Sequence, residues 1–150
     1  MINFRFSFLL LFLLSACDQS IQHQDLIGTW KSNKELTLNS INQSKSENIT
    51  EEHKDIWPTL GFGEEIYEFR KNKVRLSVES NRDKHSYIGK YRKYRVFEVT
   101  NEYFEIESYD ILFEKMTVKR LFRDGDCFYE YMSHYEFKNY YCREDNDKEL

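Results

Sequence analysis

The chain has 150 residues, of which 40% are hydrophobic, 17% aromatic and 32% charged. That length fits one domain with enough chain to bury a core, and the aromatic content excludes global disorder. One Pro and five Gly exclude collagen-like and Pro/Gly low-complexity classes, and a net charge of −4 argues against a nucleic-acid partner.

Residues 1–16 carry one basic side chain, Arg5, then a Phe/Leu run over 6–14 that only Ser7 interrupts. The small residues Ser15 and Ala16 follow. This is the layout of a secretory signal peptide, and the run is too short for a comfortable membrane-spanning helix. Leu14-Ser15-Ala16-Cys17 resembles the lipobox of bacterial lipoproteins. The resemblance implies diacylglyceryl transfer to the Cys17 sulfur, cleavage before Cys17 and acylation of the new terminus, with palmitate among the acyl chains. Two or more chains form a stable anchor where one binds only marginally. The expected location is a bacterial envelope membrane, with the domain facing the periplasm. Asp18 resembles an inner-membrane retention signal, a rule that varies between bacteria, so inner against outer membrane stays open.

Residues 17–25, with Gln19, Gln22 and Gln24, read as a polar tether from lipid to domain. The domain is expected over 26–143, beginning at Leu26-Ile27-Gly28-Thr29-Trp30. Residues 31–38 can continue as a strand, with Leu36 and Leu38 on one face. Residues 42–48 are polar, and Thr50 is a plausible N-cap for one short helix that Pro58 stops.

From Glu64 the pattern is strand after strand. Tyr67 and Phe69 share a face, Lys71-Asn72 fits a turn, and Val74, Leu76 and Val78 alternate with polar residues. Residues 80–84 form a polar loop. Residues 86–100 are rich in Tyr and Val, with a break near Gly89. Thr100-Asn101 fits a turn, and residues 102–108 follow as a strand with Phe104 and Ile106 together. Residues 111–122 change phase, which predicts a bulge or turn near Glu114-Lys115. Asp124-Gly125 is a hairpin signal. Residues 127–132 and 136–143 close the set, and 144–150 is a charged, disordered tail.

Besides Cys17, the cysteines are Cys127 and Cys142. A disulfide, two free thiols or a metal site are the alternatives. The absence of CxxC and of His at finger spacing favours the disulfide. If Cys127 lies opposite Cys142, antiparallel pairing sets Phe128 against Tyr141, Tyr129 against Tyr140 and Met132 against Phe137, all favourable pairs.

The predicted fold is therefore all-β, an antiparallel meander of about eight strands closed into a small barrel or packed as a sandwich. Leu26-Ile27-Gly28-Thr29-Trp30, with its Gly-X-Trp core, resembles the opening of lipocalins and of bacterial lipocalin-like lipoproteins. Phe69-Arg70-Lys71-Asn72-Lys73-Val74 looks like a hairpin those lipoproteins carry. The resemblance favours the barrel. It implies that Gly28 and Trp30 are structural, with Trp30 packed across the closed end.

No GxSxG, HExxH or phosphate-binding Gly loop occurs, and Gly61-Phe62-Gly63 reads as a turn. The four histidines, His23, His53, His85 and His134, read as surface residues, so neither a metal nor a cofactor is expected. The basic stretch 84–95 reads as an edge strand protected by Lys and Arg, and not as a nucleic-acid surface. Glu102, Glu105, Glu107 and Asp110 read as acids on the wet side of a strand. Tyr129, Tyr131, Tyr135, Tyr140 and Tyr141 are either cross-strand ladders or a binding surface.

Two functions stay open. One is a non-catalytic, lipid-anchored lipocalin-like protein that binds a small apolar or amphipathic ligand or serves as an envelope accessory. The other is a protein-binding lipoprotein, an inhibitor or immunity factor against an envelope-targeting enzyme. A ligand barrel needs a void of roughly 300 Å³ or more. The aromatic content of the domain favours a filled interior.

Overall fold

The computed structural model describes residues 24–57, 64–78, 87–110 and 114–144. The expected signal peptide, Cys17 and most of the expected tether lie outside the described residues. So do Gly61-Phe62-Gly63, the loop 80–84, His23, His85 and the tail from Asp145.

A 3-10 turn at Gln24–Leu26 leads into β1 (Gly28–Ser32). Two helices follow, α1 (Lys34–Gln43) and α2 (Glu51–Ile56). The remaining strands are β2 (Glu65–Arg70), β3 (Lys73–Val78), β4 (Tyr87–Ile88), β5 (Arg92–Val99), β6 (Tyr103–Asp110), β7 (Lys115–Asp124), β8 (Cys127–Met132) and β9 (Phe137–Arg143).

The sheet order is β2-β1-β9-β8-β7-β6-β5-β3-β4, and β2 also pairs with β3. That last pairing closes eight strands into an antiparallel barrel, with β4 as an extra strand on β3. Closure gives every barrel strand two neighbours, which an open sheet denies its edges.

The alternation of side chains follows from the pleat. Trp30, Phe69, Val74, Tyr94, Phe104, Ile106, Leu121, Phe128 and Tyr141 are buried in one cluster, joined by Leu26 from the 3-10 turn. Each buried large apolar side chain contributes roughly 1.5–3 kcal/mol. Trp30 lies at the end of the barrel crossed by the 3-10 turn. Its Nε1 donates to the Leu26 carbonyl at 2.9 Å, and its ring lies 5.0 Å from that of Phe128. The Arg143 guanidinium sits 4.8 Å from the Trp30 ring.

The last hairpin has the expected register. Cys127 pairs with Cys142, Phe128 with Tyr141, Tyr129 with Tyr140 and Met132 with Phe137. Cys127 and Cys142 form a disulfide across a sequence separation of 15. In the chain-entropy account such a loop closure contributes about 3 kcal/mol. Gly125 takes φ +60 in the β7–β8 turn, a conformation that favours Gly. Glu114, at φ +51, makes the turn into β7 that the phase change foretold.

Two expectations fail. Residues 31–38 do not continue as a strand. β1 stops at Ser32, and Asn33 caps α1 by accepting the Leu36 amide at 3.0 Å. The short helix expected at Thr50 is present as α2, but α1 precedes it. The basic stretch is an edge in part, since β4 stands at the end of the sheet and pairs with β3 alone, whereas β5 lies between β3 and β6. The break at Gly89 has a steric cause. A Cβ there would stand 2.1 Å from the Leu76 carbonyl oxygen.

Candidate functional site

β1 is shorter than β9, which leaves the first residues of β9 without a strand neighbour on that side. α1 takes the place. The Asn33 amide donates to the Tyr140 carbonyl at 2.8 Å. The Tyr140 amide donates to Thr37 Oγ1 at 3.0 Å, and the Lys138 amide to Ser40 Oγ at 2.8 Å. Hydroxyls three residues apart on the helix thus serve amides two apart on the strand, and Ile41 is buried beneath them. Beyond α1, Ser44 Oγ donates to the Tyr135 carbonyl and Asn48 Nδ2 to that of His134, both at 2.8 Å. Trp57 packs on Tyr135 and Phe137 with ring centres 5.1 and 5.5 Å apart. The β1–β2 connection is thereby strapped to the β8–β9 turn at the open end of the barrel.

Below this cover the barrel interior turns polar. Lys119 Nζ donates to Glu130 Oε1 at 2.5 Å and to the Tyr67 hydroxyl at 3.0 Å. The Tyr141 hydroxyl donates to Glu65 Oε2 at 2.7 Å and accepts from Asn139 Nδ2 at 2.8 Å. Asn139 Oδ1 accepts from Thr37 Oγ1 at 3.3 Å, which ties the layer to α1. The Tyr67 and Tyr141 rings meet edge to face at 4.9 Å.

Electrostatics freeze the protons in this layer. Burial and the Glu130 carboxylate push the Tyr67 hydroxyl up to about 12. Burial, with Tyr67 and the acids behind it, pushes Tyr141 well above its ordinary value. Burial alone would lower the Lys119 ammonium, but Glu130 and Tyr67 outweigh it and raise it. A lysine held protonated is neither base nor nucleophile, and a tyrosine held neutral is a poor base. The layer is suited to filling and ordering the lumen.

A cavity of about 60 Å³ remains at the mouth, between Tyr67, Leu76, Arg92, Tyr109 and Lys119. At roughly 10–15 Å³ per water it holds a few water molecules. At the other end an open cleft of about 250 Å³ lies among Asp25, Trp30, Arg123 and Arg143. Arg123 pairs with the Asp25 carboxylate at 3.1 Å and Arg143 donates to the Asp25 carbonyl at 2.7 Å, so both cations are engaged by the 3-10 turn.

The five tyrosines do not form one surface. Tyr141 is buried in the lumen, and Tyr140 is buried with its hydroxyl on Asp124 at 3.1 Å. Tyr129 stacks between Phe122 and Tyr140 at 5.2 and 5.3 Å, a cross-strand ladder. Tyr135 belongs to the Trp57 cluster with His53 and His134. Tyr131 alone of the five is classed as exposed, at 49%.

The acids of β6 are paired on the outer face. Glu105 meets Arg120 at 2.8 Å and Glu107 meets Arg95 at 3.0 Å. Among the described residues no group of three His, Cys, Asp or Glu is placed to hold a metal, and no helix is long and apolar enough to cross a membrane. Sequence reasoning missed Thr37, Lys119, Glu130 and Arg143. Lys119 shares its strand parity with buried Leu121, and Glu130 with buried Phe128, which is the signal that could have found them.

Comparison with family models, with curated proteins and with solved structures finds no match.

Proposed function

We propose that this is a lipid-anchored, non-catalytic accessory protein of a bacterial envelope, with a lipocalin-like barrel that acts on a protein partner through its outer surface. The observation that carries the surface reading is a lumen occupied by side chains among the described residues. Aromatic side chains fill the lower barrel, and the Lys119–Glu130–Tyr67 layer fills the upper part. The mouth cavity of about 60 Å³ is well below the roughly 300 Å³ at which small-molecule pockets begin. The protonated Lys119 and neutral Tyr67 support a non-catalytic role.

The anchor reading rests on Leu14-Ser15-Ala16-Cys17 behind an apolar run, with acyl chains on Cys17 and the domain facing the periplasm. An inhibitor or immunity factor against an envelope-targeting enzyme is the form of partner this reading favours. A small apolar or amphipathic ligand is the second reading, favoured by the closed eight-strand barrel itself.

Membrane fractionation of Cys17→Ala tests the anchor. The variant is expected in the soluble fraction, and one that still pellets with membranes removes the lipid anchor. Cross-linking of the wild-type chain in intact cells tests the partner. One protein captured in near-stoichiometric yield is expected. A chain recovered alone and carrying a lipid-mass ligand overturns the protein-binding half.

A further inference from the structure

β7 outruns its neighbour. It pairs with β6 along its first eight residues, from Lys115 to Phe122, but with β8 only from Leu121 to Asp124. β8 meanwhile continues to Met132 against β9 alone. A seam therefore opens between β7 and β8, and among the described residues no strand pairs with residues 116–120 on that side.

The direction of the backbone groups follows from one bond. The Arg123 amide donates to the Glu102 carbonyl at 2.7 Å, so Arg123 faces β6. Backbone direction alternates along an antiparallel strand. Thr117, Lys119 and Leu121 therefore also face β6. Met116, Val118 and Arg120 turn their N–H and C=O groups toward the vacant side. The pairing of Asp124 with Cys127 around a two-residue turn gives the same parity.

The flanking side chains fit a partner strand. Met116 is 48% exposed and Val118 55%, and Tyr131 is exposed on the outer face of β8 across the seam. Residues 116–120 include Lys119 and Arg120 and no acid. Arg120 pairs with Glu105 on the exposed outer face, where such a pair exchanges at little cost. An edge that no described strand covers, with an exposed apolar rim, is a template for strand addition.

We propose that the vacant edge of β7 at residues 116–120 receives an extended segment of a partner protein as an added antiparallel strand, with apolar residues alternating with acidic ones. This rests on the protein-binding reading above and gives it a surface. Lys119 is committed to Glu130 in the lumen, so Arg120 is the cation beside the edge, and a partner acid can take the place of Glu105 on it, which favours an acidic segment. A second copy of this chain paired over the same residues would bring no acid to Arg120.

The test uses the full lipidated chain in detergent micelles and a synthetic peptide of about ten residues in which Glu alternates with Val. Saturable binding is expected, with hydrogen exchange at the Val118 and Arg120 amides slowed about tenfold or more and Thr117 unchanged. Val118→Pro removes a donor that points away from β6, and is expected to weaken binding about tenfold. The same peptide N-methylated on alternate amides leaves the protein untouched. One methylation parity is expected to abolish binding and the other to preserve it. A peptide with Lys in place of Glu is expected to bind about tenfold more weakly or worse.

Edge amides that exchange at the same rate with and without the acidic peptide overturn the proposal. So does a dimer whose edge amides are already protected without it. A native partner that binds Val118→Pro as tightly as wild type removes this edge and leaves the protein-binding reading standing. A chain that carries a small ligand and no protein removes that reading itself.

Discussion

Lys119 holds together the one part of the lumen that is not apolar. Its ammonium bonds Glu130 and Tyr67 at once, with about a quarter of its side chain accessible and about a fifth of that of Glu130. Removing one partner of such a pair strands the other charge, whereas replacing both by apolar groups of similar size can be neutral. Lys119→Met is expected to cost roughly 2–4 kcal/mol in urea unfolding, and Lys119→Met with Glu130→Leu to recover most of it. Equal losses in the single and double variants would contradict this account. The tyrosines make a separate prediction about pH. Burial holds Tyr94 at about 12, and burial with Glu130 holds Tyr67 at about 12, against 10.0 for the free group. Above pH 10 the unfolded chain releases these protons while the folded chain keeps them. The unfolded state then binds fewer protons, so stability falls as pH rises. The contribution is complete below pH 10 and is lost progressively between pH 10 and 12. Lys119, also raised, acts in the same direction. Unfolding free energies measured across that interval are expected to decline steeply, and a flat profile would show that the hydroxyls are not buried in the folded protein.

At the scale of elements, α1 completes a sheet edge that β1 leaves open. Thr37 Oγ1 accepts the Tyr140 amide and donates to Asn139, and is fully buried. Thr37→Val keeps the shape but strands both partners, so a loss of about 1–3 kcal/mol is expected. Faster hydrogen exchange at the Tyr140 amide would locate the effect, and unchanged exchange there would contradict it. This helix was hard to read from sequence. Leu36 and Leu38 alternate like strand residues, and the window is too short for periodicity to decide. The deciding residues are polar. Asn33 is the cap, and Thr37, Ser40 and Ile41 fall at helical spacing, but their hydroxyls matter only because β9 lies alongside. The β8–β9 hairpin was legible for the opposite reason. Its two cysteines, the Asp124-Gly125 turn before it and its aromatic pairs all specify one register. That register also determines that Tyr141 points into the lumen while Tyr129 and Tyr131 point out, which composition alone conceals.

At the scale of the whole molecule, the described residues form a closed barrel whose lumen is filled from both ends. Trp30, Leu26 and Arg143 close one end around the 3-10 turn, and the Lys119 layer with α1 closes on the other. The aromatic content of the sequence pointed to a filled interior, and the barrel followed from strand count and the Gly-X-Trp opening. The polar layer did not, because it needs side chains from four strands and one helix to converge. The most direct test of the central claim is native mass spectrometry of the domain comprising residues 18–150, recovered from the periplasm. A single species at the mass of the polypeptide is the expected result, with its one disulfide and no added molecule. A co-purified small molecule of lipid mass, displaced only on unfolding, would mean that the lumen opens to a ligand and that the filled-barrel account is wrong.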